Sequence, residues 1–284
     1  MRTGMNRREL IKALGAVAIV GGCVPRALAE LLTPCAAAPD DYNSRMQDYL
    51  DKMRHFNEPH AGDIYVEPEK RHLLETTVRR LRRLERIAGY GFFNLICLDE
   101  ARSIARDNPR IGEFSPAEIE YLEFVFYRDA KQYGFFGERS LQKITDRIPA
   151  NDVVKVAGSG HYLYNGAPLA AYMKVKKDVG DQAILTSGVR GVMKQFHLFL
   201  ERAYESKGNL SLASRSLAPP GYSFHGISDF DVGQRGYGKG NFTERFVTTD
   251  VCRRLAQLEY IDLRYPRDNL LGVRFEPWHI KVKA

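Results

Sequence analysis

Cysteine is scarce. The 284 residues hold four, none in a C-x-x-C pair, which excludes a thiolate zinc cluster and a dithiol redox motif and is too few for a disulfide-dense scaffold. Long apolar runs are missing as well: no stretch reaches the roughly 18 uninterrupted apolar residues that a membrane-spanning helix needs. There is no internal repeat and no long low-complexity tract, which excludes collagens, rods and disordered chains. What is present is an ordinary globular balance, 44% hydrophobic, 11% aromatic and 27% charged residues, in a chain long enough for one large domain or two ordinary ones.

Arg7-Arg8-Glu9-Leu10-Ile11-Lys12 precedes an apolar, small-residue run from Ala13 to Gly22. A charged start and a short apolar core describe an export signal over residues 1–29, and the arginine pair resembles the twin-arginine type. Two processing sites compete. Ala27-Leu28-Ala29 has the A-x-A form of ordinary cleavage, and Val20-Gly21-Gly22-Cys23 resembles a lipoprotein site in which a lipid on Cys23 would be the only membrane attachment. Cleavage after Ala29 is the favoured reading. It removes five basic residues and one acidic one, which takes the formal charge from +7 to +3. So small a charge is not the concentrated basic face of a nucleic-acid binder. Residues 30–41 then form a linker. An exported chain works in the periplasm or cell envelope, where Cys97 and Cys252 have the option of pairing. Their apolar settings favour two separate buried thiols.

The rest divides by texture. Residues 42–150 read as helical. Leu74, Val78, Leu81, Leu84, Ile87 and Ala88 recur on one helix face, with Arg79, Arg80, Arg82, Arg83 and Arg86 mostly on a solvated one, and Gly89 stops the helix. A second helix opens with a Ser115/Glu118 capping box and Pro116 in its first turn. His55, Glu58 and His60 read as a surface loop. Over residues 151–284 short β-rich pieces appear at 153–156, 162–164, 183–186, 228–232, 261–265 and 273–282. A helix occupies 192–204, residues 209–223 read as a loop, and the glycines from Gly233 to Gly240 as a mobile loop beside the site. Strands segregated from helices define an α+β fold, with a small C-terminal antiparallel sheet and flanking helices after the helical N-terminal region.

Chemistry concentrates near the end. His225 sits in a turn-rich loop. Asp229 and Asp231 follow two apart, hence on one face of a strand, and Glu276-Pro277-Trp278-His279 closes the chain's last segment. Two histidines and a carboxylate are a usual three-ligand set for a catalytic zinc, and a further carboxylate takes the proton from the attacking water. Regular alternation would set Glu276, Trp278 and Ile280 opposite His279, although Pro277 distorts it. His161 and His197 read as structural.

Thr186-Ser187-Gly188-Val189-Arg190 with Gln195, Pro220-Gly221-Tyr222-Ser223-Phe224-His225, Asp231-Val232, and Leu263-Arg264-Tyr265-Pro266 followed by Glu276-Pro277-Trp278-His279 together resemble the zinc D-alanyl-D-alanine carboxypeptidase family, vancomycin-resistance type, within the LAS metallopeptidases. The resemblance runs over about residues 182–282. It implies zinc held by His225, Asp231 and His279, with Asp229 as the rival to Asp231, because Asp231 lies six residues after His225 where the family has seven. It implies Glu276 as general base and Arg190 as a fixed charge for the oxyanion or the substrate carboxylate. Ser223 and Gln195 would hold the substrate terminus, and Trp278 would pack beside the metal. The implied activity is removal of terminal D-Ala from peptidoglycan stem peptides. Endopeptidase action on cross-linked wall, and a non-enzymatic wall-binding protein with a degenerate metal site, are the alternatives.

Overall fold

The computed structural model describes residues 39–283. The proposed signal, Cys23 and most of the proposed linker lie outside them. From Asp48 onward the chain forms one compact unit, which contains all that follows apart from the start of the first helix. Helix α1 (Pro39–Arg54) begins inside the expected linker. Then come α2 (Arg71–Ala88), α3 (Tyr90–Phe93), α4 (Leu98–Arg106) and α5 (Pro116–Tyr127). A hairpin of β1 (Val153–Lys155) and β2 (Tyr162–Tyr164) leads to α6 (Ala167–Val179), β3 (Ala183–Ser187), α7 (Val192–Glu205) and α8 (Leu210–Ser216). The chain ends with β4 (Phe230–Gln234), α9 (Asp250–Leu255), β5 (Asp262–Leu263) and β6 (His279–Lys281). The fold is α+β. Among the described residues no helix is long and apolar enough to cross a membrane.

Helix α2 is amphipathic for the reason its spacing gives: residues three and four apart stack on one face. Leu74, Val78, Leu81 and Leu84 are buried, and Gly89, at φ +90°, ends the helix in a conformation that costs glycine little. The basic face is not wholly solvated. Arg80 reaches the buried Glu118 at 2.9 Å, the same carboxylate that accepts the Ser115 N–H in the α5 capping box, and Arg83 donates to the Ile111 carbonyl. Only Arg79, Arg82 and Arg86 are exposed.

The expected boundary at residue 150 is not a packing boundary. Leu74, Val78, Leu81, Phe93, Leu122 and Phe126 from the helical region share one core with Val192, Met193, Phe196, Phe199 and Leu200 of α7. Polar groups reinforce that junction. Glu85 on α2 accepts from Lys194 at 2.6 Å and lies 3.2 Å from His197 Nε2. Burial raises the Glu85 carboxyl, but His197 and Lys194 more than offset this and bring it from its ordinary 4.5 down to about 2. A depressed carboxyl stabilises the fold above its unfolded pKa, and that contribution disappears as the pH falls through the folded value. Thermal melts should therefore show Glu85→Gln less stable than the parent by roughly 2 kcal/mol at neutral pH, with the gap closing between about pH 5 and pH 2. A gap independent of pH would contradict this account.

The second core lies between the sheet, α6 and α9, and includes Tyr172, Val175, Leu185, Phe230, Val232, Trp278 and Ile280. Its four strands run in the order β3-β4-β6-β5 and are all antiparallel. The register puts Asp231 opposite both Ser187 on β3 and His279 on β6. Two residues some fifty positions apart in sequence are thus neighbours across a ladder. Three local readings change. Residues 209–223 contain α8, whose N-cap Asn209 accepts from the Leu212 N–H. The last strand is only His279–Lys281, because Pro277 sits in a turn closed by the His279 N–H on the Glu276 carbonyl. Gly233 belongs to β4, Gly236 sits in a turn, and Gly238 and Gly240 lie in a 3-10 turn over Gly238–Phe242 rather than an open loop. Cys97 and Cys252 are free thiols, the first buried and the second half-buried.

Candidate metal centre and catalytic cleft

The turn after β3 and the turn carrying His225 clasp each other. The Arg190 N–H donates to the His225 carbonyl at 3.0 Å, and His225 Nδ1 lies 2.8 Å from the Gly188 carbonyl oxygen. Gly188 is required there, since a Cβ would fall 1.9 Å from the Tyr162 carbonyl oxygen. The helical region steadies the same loop: Ser140 donates to the Ser223 carbonyl at 2.8 Å and its N–H to that of Gly221 at 2.8 Å.

His225, Asp231 and His279 are all buried, and one ligand atom from each lies within 4.8 Å of the others. A carbonyl only accepts, so the Gly188 contact places the His225 proton on Nδ1 and leaves the Nε2 lone pair facing inward. That lone pair is 3.2 Å from Asp231 Oδ1, and neither atom has a hydrogen-bond partner. Two acceptors buried face to face repel each other unless a cation lies between them. His279 turns Nδ1 to the same place, 3.7 Å from Asp231 Oδ1 and 3.0 Å from Glu276 Oε2. The residues present fit a divalent ion.

Asp229 has another task. It sits just before β4, takes a two-point contact from Arg264 at 2.6 and 3.1 Å, accepts the Val282 N–H, and lies 3.2 Å from His279 Nε2. A carboxylate behind a ligating histidine fixes its ring and tautomer. Of the two candidate aspartates, Asp231 faces the ligand cluster and Asp229 orients His279. Burial raises both carboxyls, but both are held well below the usual range, Asp231 by His225 and Arg190 and Asp229 by His279 and Arg264. Burial lowers the His225 imidazole, and the Arg190 charge lowers it further. At His279 burial acts in the same direction, but Asp229 and Glu276 outweigh it and push the ring up to about 9.

A cleft of about 350 Å³ opens onto this group and is lined by Arg190, Ser223, Asp231, Glu276, Trp278 and His279, among others. Glu276 is only 7% exposed. Trp278 packs edge-on against Phe242, which brings the former glycine loop into the wall. Arg190 is not free: it donates to Asp231 Oδ2 at 2.8 Å and to Ser187 at 2.9 Å. Gln195 does not line the cleft. It is buried and its amide donates to the Ala218 carbonyl, tying down the loop after α8. His55 and His60 lie among surface carboxylates away from the cleft. The lining also includes Lys194, Arg274 and His161, which sequence reasoning does not place at the site. Lys194 lies in the first turn of α7, four residues after Arg190. Arg274 precedes Glu276 by two. His161, behind a glycine-rich turn, is held near a pKa of about 4 by burial and by Arg190, and its Nδ1 has no partner.

Residues 168–283 match the VanY family, D-alanyl-D-alanine carboxypeptidase. The likeness is one of a segment, and no curated protein matches the chain. Solved structures that are similar include the LdcB LD-carboxypeptidase, with 24% identity over 47% of this chain and 68% of that one and a TM-score of 0.38. VanYB in complex with D-alanine-D-alanine shows 25% identity over 48% and 81%, with a TM-score of 0.35. A mutant of the vancomycin-resistance D,D-pentapeptidase VanY in complex with Zn(II) shows 24% identity over 53% and 88%, with a TM-score of 0.35.

Proposed function

We propose that this protein is an exported zinc D,D-carboxypeptidase that removes the terminal D-Ala from peptidoglycan stem peptides. The observation that carries the reading is the pair of unpartnered acceptors, His225 Nε2 and Asp231 Oδ1, buried 3.2 Å apart with Glu276 beside them, in a segment matching the D-alanyl-D-alanine carboxypeptidase family. His225 Nε2, Asp231 Oδ1 and His279 Nδ1 would hold the ion. Zinc, when bound, supplies Lewis acidity toward the scissile carbonyl and makes water a nucleophile near neutral pH. Glu276 accepts the proton of the attacking water and returns it to the departing amine, which leaves as D-alanine. Arg190, fixed by Asp231 and Ser187, sets positive charge beside the developing oxyanion. Ser223 and Trp278 shape the wall against which the peptide end lies, and the buried surroundings of Glu276 limit bulk water.

The test is a zinc-loaded sample incubated with a stem pentapeptide ending in D-Ala-D-Ala, with and without a chelator, and read by mass spectrometry. Loss of one D-Ala, suppressed by the chelator and restored by zinc, is expected. Unchanged peptide in the zinc-loaded sample would refute the reading, and separation of cross-linked dimers in purified sacculi without D-Ala release would replace it with endopeptidase action.

A further inference from the structure

Three strongly basic side chains line the cleft, and two of them already have a carboxylate. Arg190 is held by Asp231 at 2.8 Å and Lys194 by Glu85 at 2.6 Å. For Arg274 no carboxylate stands within ion-pair distance among the described residues. Its Nη2 donates to the Phe242 carbonyl at 3.0 Å, and its buried Nε has no partner. The guanidinium is nevertheless fixed, with its central carbon 4.6 Å from the centroid of the Phe56 ring and 4.8 Å from that of Trp278. Its own N–H binds the Arg215 carbonyl at 2.9 Å, which sets it beside Ser216. That serine lines the same cleft and has a buried hydroxyl without a partner.

A half-buried guanidinium whose Nε has no partner, and which no carboxylate contacts directly, is left incompletely satisfied. A planar fork held between two rings has its donors arranged in advance for a carboxylate. We infer that Arg274, assisted by Ser216, is the specificity-determining residue that holds the free C-terminal carboxylate of the peptide. The inference rests on the carboxypeptidase reading above. Chain geometry supports it. In removing a single residue, the scissile carbonyl and the terminal carboxylate are one residue apart, about 4 Å between successive Cα atoms. The group that holds the carboxylate must therefore share a cleft with the general base, and Arg274 lies two residues before Glu276 on the same segment. The work then divides: Arg190, engaged by Asp231, serves the reacting carbonyl, and Arg274 recognises the chain end.

The experiment compares diacetyl-L-lysyl-D-alanyl-D-alanine with its C-terminal amide, using the full zinc-loaded chain. The parent protein should strongly prefer the free acid. Arg274→Gln should raise KM for the acid by about tenfold or more, the effect of losing hydrogen bonds to a charged group, while kcat changes little and turnover of the amide stays the same. Arg274→Lys keeps the charge but not the fork, and should recover part of the preference. Zinc content and melting temperature establish that each variant is folded, and should the Gln variant fail there, the Lys variant carries the comparison through a reduced acid preference. An acid preference equal to the parent's in a folded variant would overturn the assignment and leave the peptidase reading standing. A parent protein that cleaves neither peptide would overturn both.

Discussion

Glu276→Ala should keep its zinc, near one ion per chain, and lower kcat by roughly two to four orders of magnitude. The carboxylate is close enough to the ligand group to handle a proton there, with Oε2 3.0 Å from His279 Nδ1, but it is not one of the three clustered donors. Its removal leaves His279 oriented from behind by Asp229 and leaves the His225–Gly188 contact intact. Metal binding and proton transfer should therefore separate in this variant. Metal analysis by mass spectrometry, with steady-state kinetics on a D-Ala-D-Ala peptide, measures both. Loss of zinc together with activity would make Glu276 a ligand, and full activity would remove it from the mechanism.

His279→Ala should do the opposite and lose the ion itself, with turnover falling to background. It deletes one of three donors and leaves the Asp229–Arg264 pair without the ring they orient. Asp229→Asn offers a graded version: the outer carboxylate is replaced, the donor set is untouched, and zinc affinity should drop about 10- to 100-fold. Competition with a chromophoric chelator measures both variants. Parent-like affinity in His279→Ala would show that the ion sits elsewhere.

Much of this was legible before any coordinates. Apolar spacing marks the buried face of α2 because a helix repeats every 3.6 residues. The Ser115 capping box marks the start of α5 because its two side-chain contacts are local. The motifs around His225, Asp231, Glu276 and His279 implied the ligand set through their resemblance to a known family, and the fold brings the three proposed ligands together. What stayed hidden depends on distant contacts. Nothing near Asp229 announces that its partners are Arg264, His279 and Val282. Gln195 carries a recognisable spacing, yet its amide turns to the Ala218 backbone instead of the cleft. Helix α8 is faint in the sequence because its serine-rich stretch shows little apolar periodicity, and Asn209 as N-cap is its main local signal. The last strand is shorter than its apolar alternation suggests because Pro277 makes a turn rather than a local distortion. The shortened spacing between His225 and Asp231 had kept a degenerate site in view. With that spacing His225 and Asp231 still place ligand atoms within 4.8 Å of each other.

The core that joins α2 and α5 to α7 bears on how the protein can be handled. The family-matching stretch is not a detachable cassette. Excised at residue 151, it would carry Phe196, Phe199 and Leu200 into water on a bare helix and would leave the Ser223 loop without its Ser140 tether. Any chimera, minimal fragment or grafted version has to take the preceding helices along as scaffolding.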